Sequence, residues 1–335
     1  MSADLSTSYL GLDLSGPVIA SASPLTGRLD GLVALEDAGA SAVVLPSLFE
    51  EEVEAEEMAF HEALEAGSGI GPEFDSLLPE VTMPELGVDR HLMRVEAAKK
   101  AVGIPVIASV NATHTGSWER YAGLLAEAGA DALELNLYAV AADPSQSAAD
   151  VEARYLDVIR EVKAAVKVPL AVKLSPFFSS FAHFAAAAAD AGADGLVIFN
   201  RFYAPDLDLE TLDVVSKVSL SHASEMRLPM RWTGILRSQL PGTSIALTSG
   251  VHTGADVAKA IAVGATVACT TSAVVRDGAN ALRHMLDGLT AWLSEHEYDS
   301  VAQLRGSVSA TSAADPGAYE RSQYIQIITS LNAKR

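Results

Sequence analysis

The chain has one cysteine, Cys269, in 335 residues. A lone thiol rules out a disulfide framework and a thiolate zinc centre, and it fits a reducing compartment. Cations are scarce: 23 Lys and Arg stand against 43 Asp and Glu, a formal charge of −20. Phosphate backbones need clustered Lys and Arg, so nucleic acid is not an expected partner. No apolar run reaches the ~18–20 residues of a membrane span. The Ala-rich stretch 185–193 is broken by Asp190 and Gly192. The opening MSADLSTSYLGLDLSG has no basic region followed by an apolar one, so no signal peptide is read. HExxH and CxxC are absent, and no metal is expected. These absences point to a soluble cytoplasmic protein. Hydrophobic residues at 49% and charged residues at 20% give ample material for a large core.

A weak internal repeat sets the architecture. EDAGASAVVL (36–45), AEAGADALEL (126–135), ADAGADGLVI (189–198) and AVGATVACT (262–270) each end a helical pattern at Gly and enter an apolar run. Gly closes a helix in the left-handed conformation, and a near-continuous apolar run is a strand covered on both faces. A second strand signal interleaves: GPVIASA (16–22), GIPVIASV (103–110), KVPLAVKL (167–174) and GTSIALTSG (242–250). The strands fall near 17–22, 41–46, 104–110, 131–137, 168–174, 194–199, 244–249 and 265–270, with helical patterns between them. Eight such units predict a single (β/α)8 TIM barrel. A doubly wound sheet is the runner-up, but the glycine-rich first turn of a dinucleotide fold is missing. The barrel is expected to span 1–310, with insertions at 48–88 and 200–230. Residues 311–335 are expected to form a tail or docked helix. The acidic start of the first insertion reads as a solvated helix face.

Strand C-termini converge on one mouth of such a barrel, where its active site lies. They carry Ala20, Ser21 and Ala22; Ser47; Asn111; Asn136 and Tyr138; Lys173; Asn200; Ser249 and Gly250; and Thr271 and Ser272. Two small-residue turns, TSGVHTG (248–254) and TTSAV (271–275), follow strands seven and eight, the usual phosphate position of the fold. Lys173 needs an anionic or electron-rich partner if its strand points it inward. Alone it is open to three readings: a cation beside a reduced flavin, a Schiff-base nucleophile, or a structural ion pair. Phosphate at one side, a cation in the middle and amides around it suit flavin mononucleotide (FMN). Arg201 and Tyr203 are candidates to receive a substrate carboxylate or stack on its ring. Cys269 reads as a small buried hydrophobe.

PVIASAS, ASVNAT, LELNLY, LAVKLSP, VIFN and LTSGVHTGADVAKAIAVGATVACTTSAV occur in this order. So arranged, the chain resembles the soluble dihydroorotate dehydrogenase family from about Ser6 to Leu304. The resemblance implies an FMN-dependent oxidoreductase acting on CH–CH bonds. In it Ala20, Ser21 and Ala22 line the flavin, and Ser47, Asn111 and Asn136 bond the ring or ribityl chain. Lys173 faces the pyrimidine, and Gly250, Thr271 and Ser272 hold the phosphate. Asn200 and Ser249 complete the expected cofactor set.

The chain also departs from that family. Ala139, Val140 and Ala141 stand where the family carries a catalytic Cys or Ser followed by Pro and Asn. Pro46 replaces a substrate-contacting Lys, and LLPEVTMPELGVD replaces an Asn-rich turn. The flavin half is expected to persist while the orotate half does not. The catalytic base is unassigned, with Ser145, Ser147 and Tyr138 as candidates; His114 and His252 read as solvated or turn-bonding. Four functions stay open. They are redox chemistry on another small molecule, dihydroorotate oxidation with a substitute base, a Lys-dependent lyase or aldolase, and a non-catalytic FMN-binding subunit. The electron acceptor is not assigned, and a homodimer is the default assembly.

Overall fold

A computed structural model describes residues 3–53, 87–112, 118–137, 139–201, 204–321 and 324–332. The interleaved apolar runs form eight parallel strands closed into a ring. In chain order the ring is β3 (Val18–Ala20), β4 (Val43–Val44), β6 (Val106–Ala112), β7 (Ala132–Leu137), β8 (Leu170–Leu174), β9 (Gly195–Ile198), β12 (Ser244–Leu247) and β13 (Val267–Thr270). Closure comes from β13 pairing with β3 through Ala268↔Val18 and Thr270↔Ala20. Between the strands lie helices Leu29–Asp37, Val88–Ala101, Trp118–Glu127, Ala148–Ala165, Phe181–Asp190, Arg227–Gln239 and Gly254–Val263, with Asn280–Glu295 after the last. The chain is therefore a (β/α)8 barrel. None of the helices described is long and apolar enough to cross a membrane.

The repeat in the sequence has a physical basis in the turns. Gly39 and Gly264 take φ of +97° and +120° at their helix ends, a conformation costly for any residue with a Cβ. The acids that follow the corresponding Gly129 and Gly192, also at positive φ, fasten the strand floor. Asp131 accepts from the Val106 N–H at 2.7 Å and pairs with Lys99, and Asp194 accepts from the Leu170 N–H at 2.8 Å and pairs with Lys163.

The N-terminal hairpin is an element the sequence did not signal. β1 (Thr7–Tyr9) and β2 (Leu12–Leu14) turn through Leu10 and Gly11, both at positive φ. This hairpin closes the N-terminal end of the barrel: the Leu10 N–H donates to Ser244 Oγ at 3.1 Å, and Thr7 Oγ1 donates to the Thr266 carbonyl. Tyr9, Leu10 and Leu14 then pack with Ile19, Val44, Ile107, Val197 and Val267 inside the ring. A second apolar layer lies between the strands and the helices. Each fully buried aliphatic side chain contributes roughly 1.5–3 kcal/mol.

Three further details differ from the expected pattern. The eighth helix is divided: Ser272–Asp277 stops at Gly278 (φ +71°), and Asn280–Glu295 begins anew. The second strand steps out at Pro46–Ser47, and β5 (Leu48–Phe49) rejoins β6 with Leu48 opposite Val110. Pro46 has no N–H to give the ladder, which suits the step. The insertion after the sixth strand carries a hairpin, β10 (Pro205–Asp208) against β11 (Asp213–Ser216). Most of the insertion after the second strand, residues 54–86, lies outside the described residues, and so does the expected solvated helix face.

Beyond the barrel, the N–H groups of Gly306, Val308 and Ala310 donate to carbonyls of Ile261, Ala262 and Gly234. Helix Tyr324–Asn332 follows, with Ile325, Ile327 and Ile328 exposed.

Candidate active site

The C-terminal strand ends open into a cavity of 460 Å³. Its wall includes Ala22, Ser47, Asn111, Asn136, Lys173 and Asn200. Arg201, Ser249, Gly250, Thr271 and Ser272 complete the part predicted from sequence. Ala20 and Ser21, expected to line the flavin, are buried and are not among the wall residues. Tyr138 and Tyr203 fall outside the described residues, as does His114.

A compact amide–hydroxyl cluster is built from three strand ends. Asn136 Nδ2 donates to Ser109 Oγ at 2.8 Å, to the Val110 carbonyl at 3.0 Å and to Ser47 Oγ at 3.3 Å. The hydroxyls of Ser47 and Ser109 hydrogen-bond to each other at 2.7 Å. The step at Pro46 is what swings Ser47 over Ser109. Beside this cluster, the Asn111 amide oxygen is buried without a hydrogen-bond partner. An unpaired buried acceptor costs about 1–3 kcal/mol unless a ligand N–H reaches it.

Lys173 Nζ lies 3.1 Å from Glu134 Oε1, and both side chains are largely buried. The ion-pair reading of Lys173 is therefore realised in the fold. Glu134 was missed in the sequence because it sits two residues before Asn136, inside an apolar run. The period-two alternation of a strand was the available signal: Glu134 and Asn136 share a face, and each pairs across the sheet with the strand that carries Lys173. Cys269 also reaches the cavity wall. Burial pushes its thiol up to about 12, so it is no base at neutral pH.

The turns after the seventh and eighth strands form the other end of the cavity. Ser249 and Gly250 both take positive φ, +75° and +79°. A Cβ on Gly250 would stand 2.6 Å from the Met226 nitrogen, so the backbone approach there requires glycine. The N–H groups of Gly250, Thr271 and Ser272 have no acceptor among the described residues. Consecutive N–H groups around left-handed residues make a concavity suited to an anion. Ser272 Oγ accepts from both the N–H and the hydroxyl of Ser221, each at 2.9 Å, which leaves its own proton to point elsewhere. His252 Nε2 lies 3.3 Å from Ser221 Oγ. Burial, with Arg276 nearby, lowers the His252 pKa. His252 is thus a turn-bonding residue, linked to Ser272 through Ser221.

Two other candidates stand apart from the cavity. Ser145 is exposed and donates to Asp143 at 2.7 Å. Ser147 caps helix Ala148–Ala165 in a reciprocal box with Asp150. Arg201 does line the cavity, but its guanidinium is engaged. It forks onto Glu225 at 3.0 and 3.3 Å and donates to the Ser219 carbonyl. Burial pushes the Glu225 carboxyl upward, and the His222 N–H with Arg201 outweighs this, leaving it below its ordinary value.

The arrangement defines a (β/α)8 barrel with a cavity at the strand C-termini. The chain matches the family profile described as dihydroorotate dehydrogenase over residues 5–293. It is 27% identical over 316 residues to the catalytic subunit of dihydroorotate dehydrogenase B (NAD(+)) from Thermoplasma acidophilum, covering 91% of this chain and 98% of that one. It is 26% identical over 331 residues to PreA, a subunit of NAD-dependent dihydropyrimidine dehydrogenase from Escherichia coli, covering 90% and 76%. A dihydroorotate dehydrogenase A (fumarate) from Lactobacillus delbrueckii is 26% identical over 243 residues, covering 70% and 78%. The chain belongs to the dihydroorotate dehydrogenase family.

Proposed function

We propose that the protein is an FMN-dependent oxidoreductase that exchanges two electrons with a small molecule and has lost the usual means of handling dihydroorotate. The observation that carries this reading is one cavity with an anion-receiving turn at Ser249–Gly250 and Thr271–Ser272 and a buried cation, Lys173, elsewhere in its wall. The residues present suit the cofactor. The orphaned Asn111 oxygen asks for an N–H donor of the kind a flavin pyrimidine carries, and the unpaired N–H groups ask for a dianion. When bound, FMN would supply the two-electron chemistry.

The chain's own groups have separate tasks in this reading. Gly250, Thr271 and Ser272 hold the phosphate, and Ser249 shapes the turn. Ser47, Asn111 and Asn136 bond the polar edge of the ring, with Ala20, Ser21, Ala22 and Asn200 around it. Lys173 places positive potential beside that edge, where negative charge is stabilised without solvent reorganisation. Glu134 holds the ammonium in place. The described cavity wall contains no carboxylate and no imidazole. Proton transfer then falls to Tyr138, to water, or to a substrate that needs no base. The ion pair to Glu134 opposes a Schiff-base role for Lys173, because a nucleophilic amine must be free of its proton.

The test is the visible spectrum of the purified protein. Flavin absorbance, released by heat as FMN at about one per chain, supports the reading. A colourless protein that takes up no added FMN, or that borohydride traps as a Schiff base, overturns it. A yellow protein inert to every reductant offered would favour a non-catalytic binding subunit.

A further inference from the structure

We infer that the substrate is an uncharged, largely apolar molecule rather than a carboxylate. The inference rests on the flavin reading above and concerns the part of the cavity that the cofactor leaves free.

The charges at the mouth can be accounted for one by one. Among the described residues the wall carries two cations, Lys173 and Arg201, and each already has a carboxylate partner. Lys173 is held by Glu134 in a largely buried pair. Arg201 is forked onto Glu225 and also donates to a backbone carbonyl. To pair with either cation, a substrate carboxylate would have to displace an acid that is covalently in place. It would then leave that acid partly buried and unpaired, which costs several kcal/mol.

The undescribed segments that continue from the strand ends and loops at the mouth bring no replacement Lys or Arg. Residues 54–86, 113–117, 138 and 202–203 contain no Lys or Arg in their sequence. Residues 54–86 carry nine Asp and Glu and no Lys or Arg, so they add net negative charge only. The whole chain, at −20, adds a field of the same sign. A bound flavin phosphate would add more.

A cationic substrate, which the overall field would attract, lacks a contact partner in the wall. No Asp or Glu lines the cavity among the described residues, so an ammonium would find only neutral groups. The wall also carries a set of apolar side chains: Pro24, Pro46, Phe49, Val218 and Leu220. Phe49 and Val218 are exposed, at 43% and 70%, in a wall that otherwise offers hydroxyls and the amide of Asn200. Apolar walls with a few neutral hydrogen-bonding groups recognise an uncharged unsaturated molecule.

The experiment uses the flavin-loaded protein and matched pairs that differ only in charge: benzoate against benzamide, and orotate against its methyl ester. Changes in bound-flavin absorbance give each dissociation constant. The neutral member of each pair is expected to bind at least about tenfold more tightly. Equal or tighter binding of the carboxylates, or binding of none of the four, overturns the inference. Pro46→Lys is expected to raise carboxylate affinity about tenfold by supplying the missing cation. If that variant does not fold, Val218→Lys at the exposed lip serves the same purpose. No gain from a folded variant also counts against the inference. Failure of the flavin reading itself is recognised earlier, because a colourless protein gives no spectrum to perturb.

Discussion

The two ends of the barrel are made from the same eight strands and treat their polar groups in opposite ways. At the N-terminal end the hairpin Thr7–Leu14 caps the ring, and strand-floor donors find partners in Asp131, Asp194 and Ser244. At the C-terminal end Asn111 keeps an orphaned oxygen, and three N–H groups of the turns have no acceptor among the described residues. The floor is where the fold spends its interactions on stability. The mouth withholds them, and each group left unpaired there is available to a ligand. The difference follows from topology: every strand ends at the mouth, so side chains from eight separate loops meet there.

Substitutions at the two ends should separate stability from binding. The largest effect is expected from Glu134→Gln, which lies between the ends and should violate the separation. It leaves Lys173 largely buried and unpaired, costing about 3–5 kcal/mol. Denaturant melts should show that loss, and the flavin spectrum of the surviving folded protein should shift as well. Leu10→Ala removes a buried floor side chain and should cost about 2–5 kcal/mol by the same melts, with flavin content per folded chain unchanged. A loss of flavin in that variant would break the comparison.

Asn111→Ala should do the reverse. Removing a buried acceptor that lacks a partner leaves the apo protein no less stable, while FMN binds about tenfold more weakly in fluorescence titrations. Ser147→Ala sharpens the picture further. As a helix cap it should cost about 1 kcal/mol in a melt and change neither flavin content nor turnover, which would remove it from the list of bases.

The smallest effect concerns Cys269. With its thiol pushed up to about 12 by burial, the folded protein should resist alkylation through neutral pH, as mass spectrometry would show. The folded pKa lies above the ordinary thiol value of 9.0, so the fold retains the proton longer than the unfolded chain. This contribution is complete below pH 9 and declines as pH rises from there toward about 12.

The barrel was legible because its period is local. Helix, glycine, small turn and apolar run recur, and each is specified by neighbours within a dozen residues. That Lys173, Asn136 and Gly250 would line the mouth was legible for a similar reason, since strand ends and the turns after them converge there in this fold. What escaped was set by distant partners. Glu134 looked like an interruption of an apolar run until Lys173, on the next strand, was seen beside it. Arg201 looked available until Glu225 was found gripping it. Ser147 looked like part of a loop until Asp150 showed it to be a helix cap.

The sequence alone determined that eight apolar runs would be covered on both faces and joined by glycine-ended helices, because hydrophobic period and backbone φ are properties of short segments. It also determined the shortage of cations, since no folding can supply a charge the chain lacks. The tertiary structure decided which charges remain free. An ion pair forms between residues that only strand pairing and loop packing bring within about 3 Å, and at that distance the carboxylate holds the cation in place and offsets part of the charge a ligand would otherwise feel.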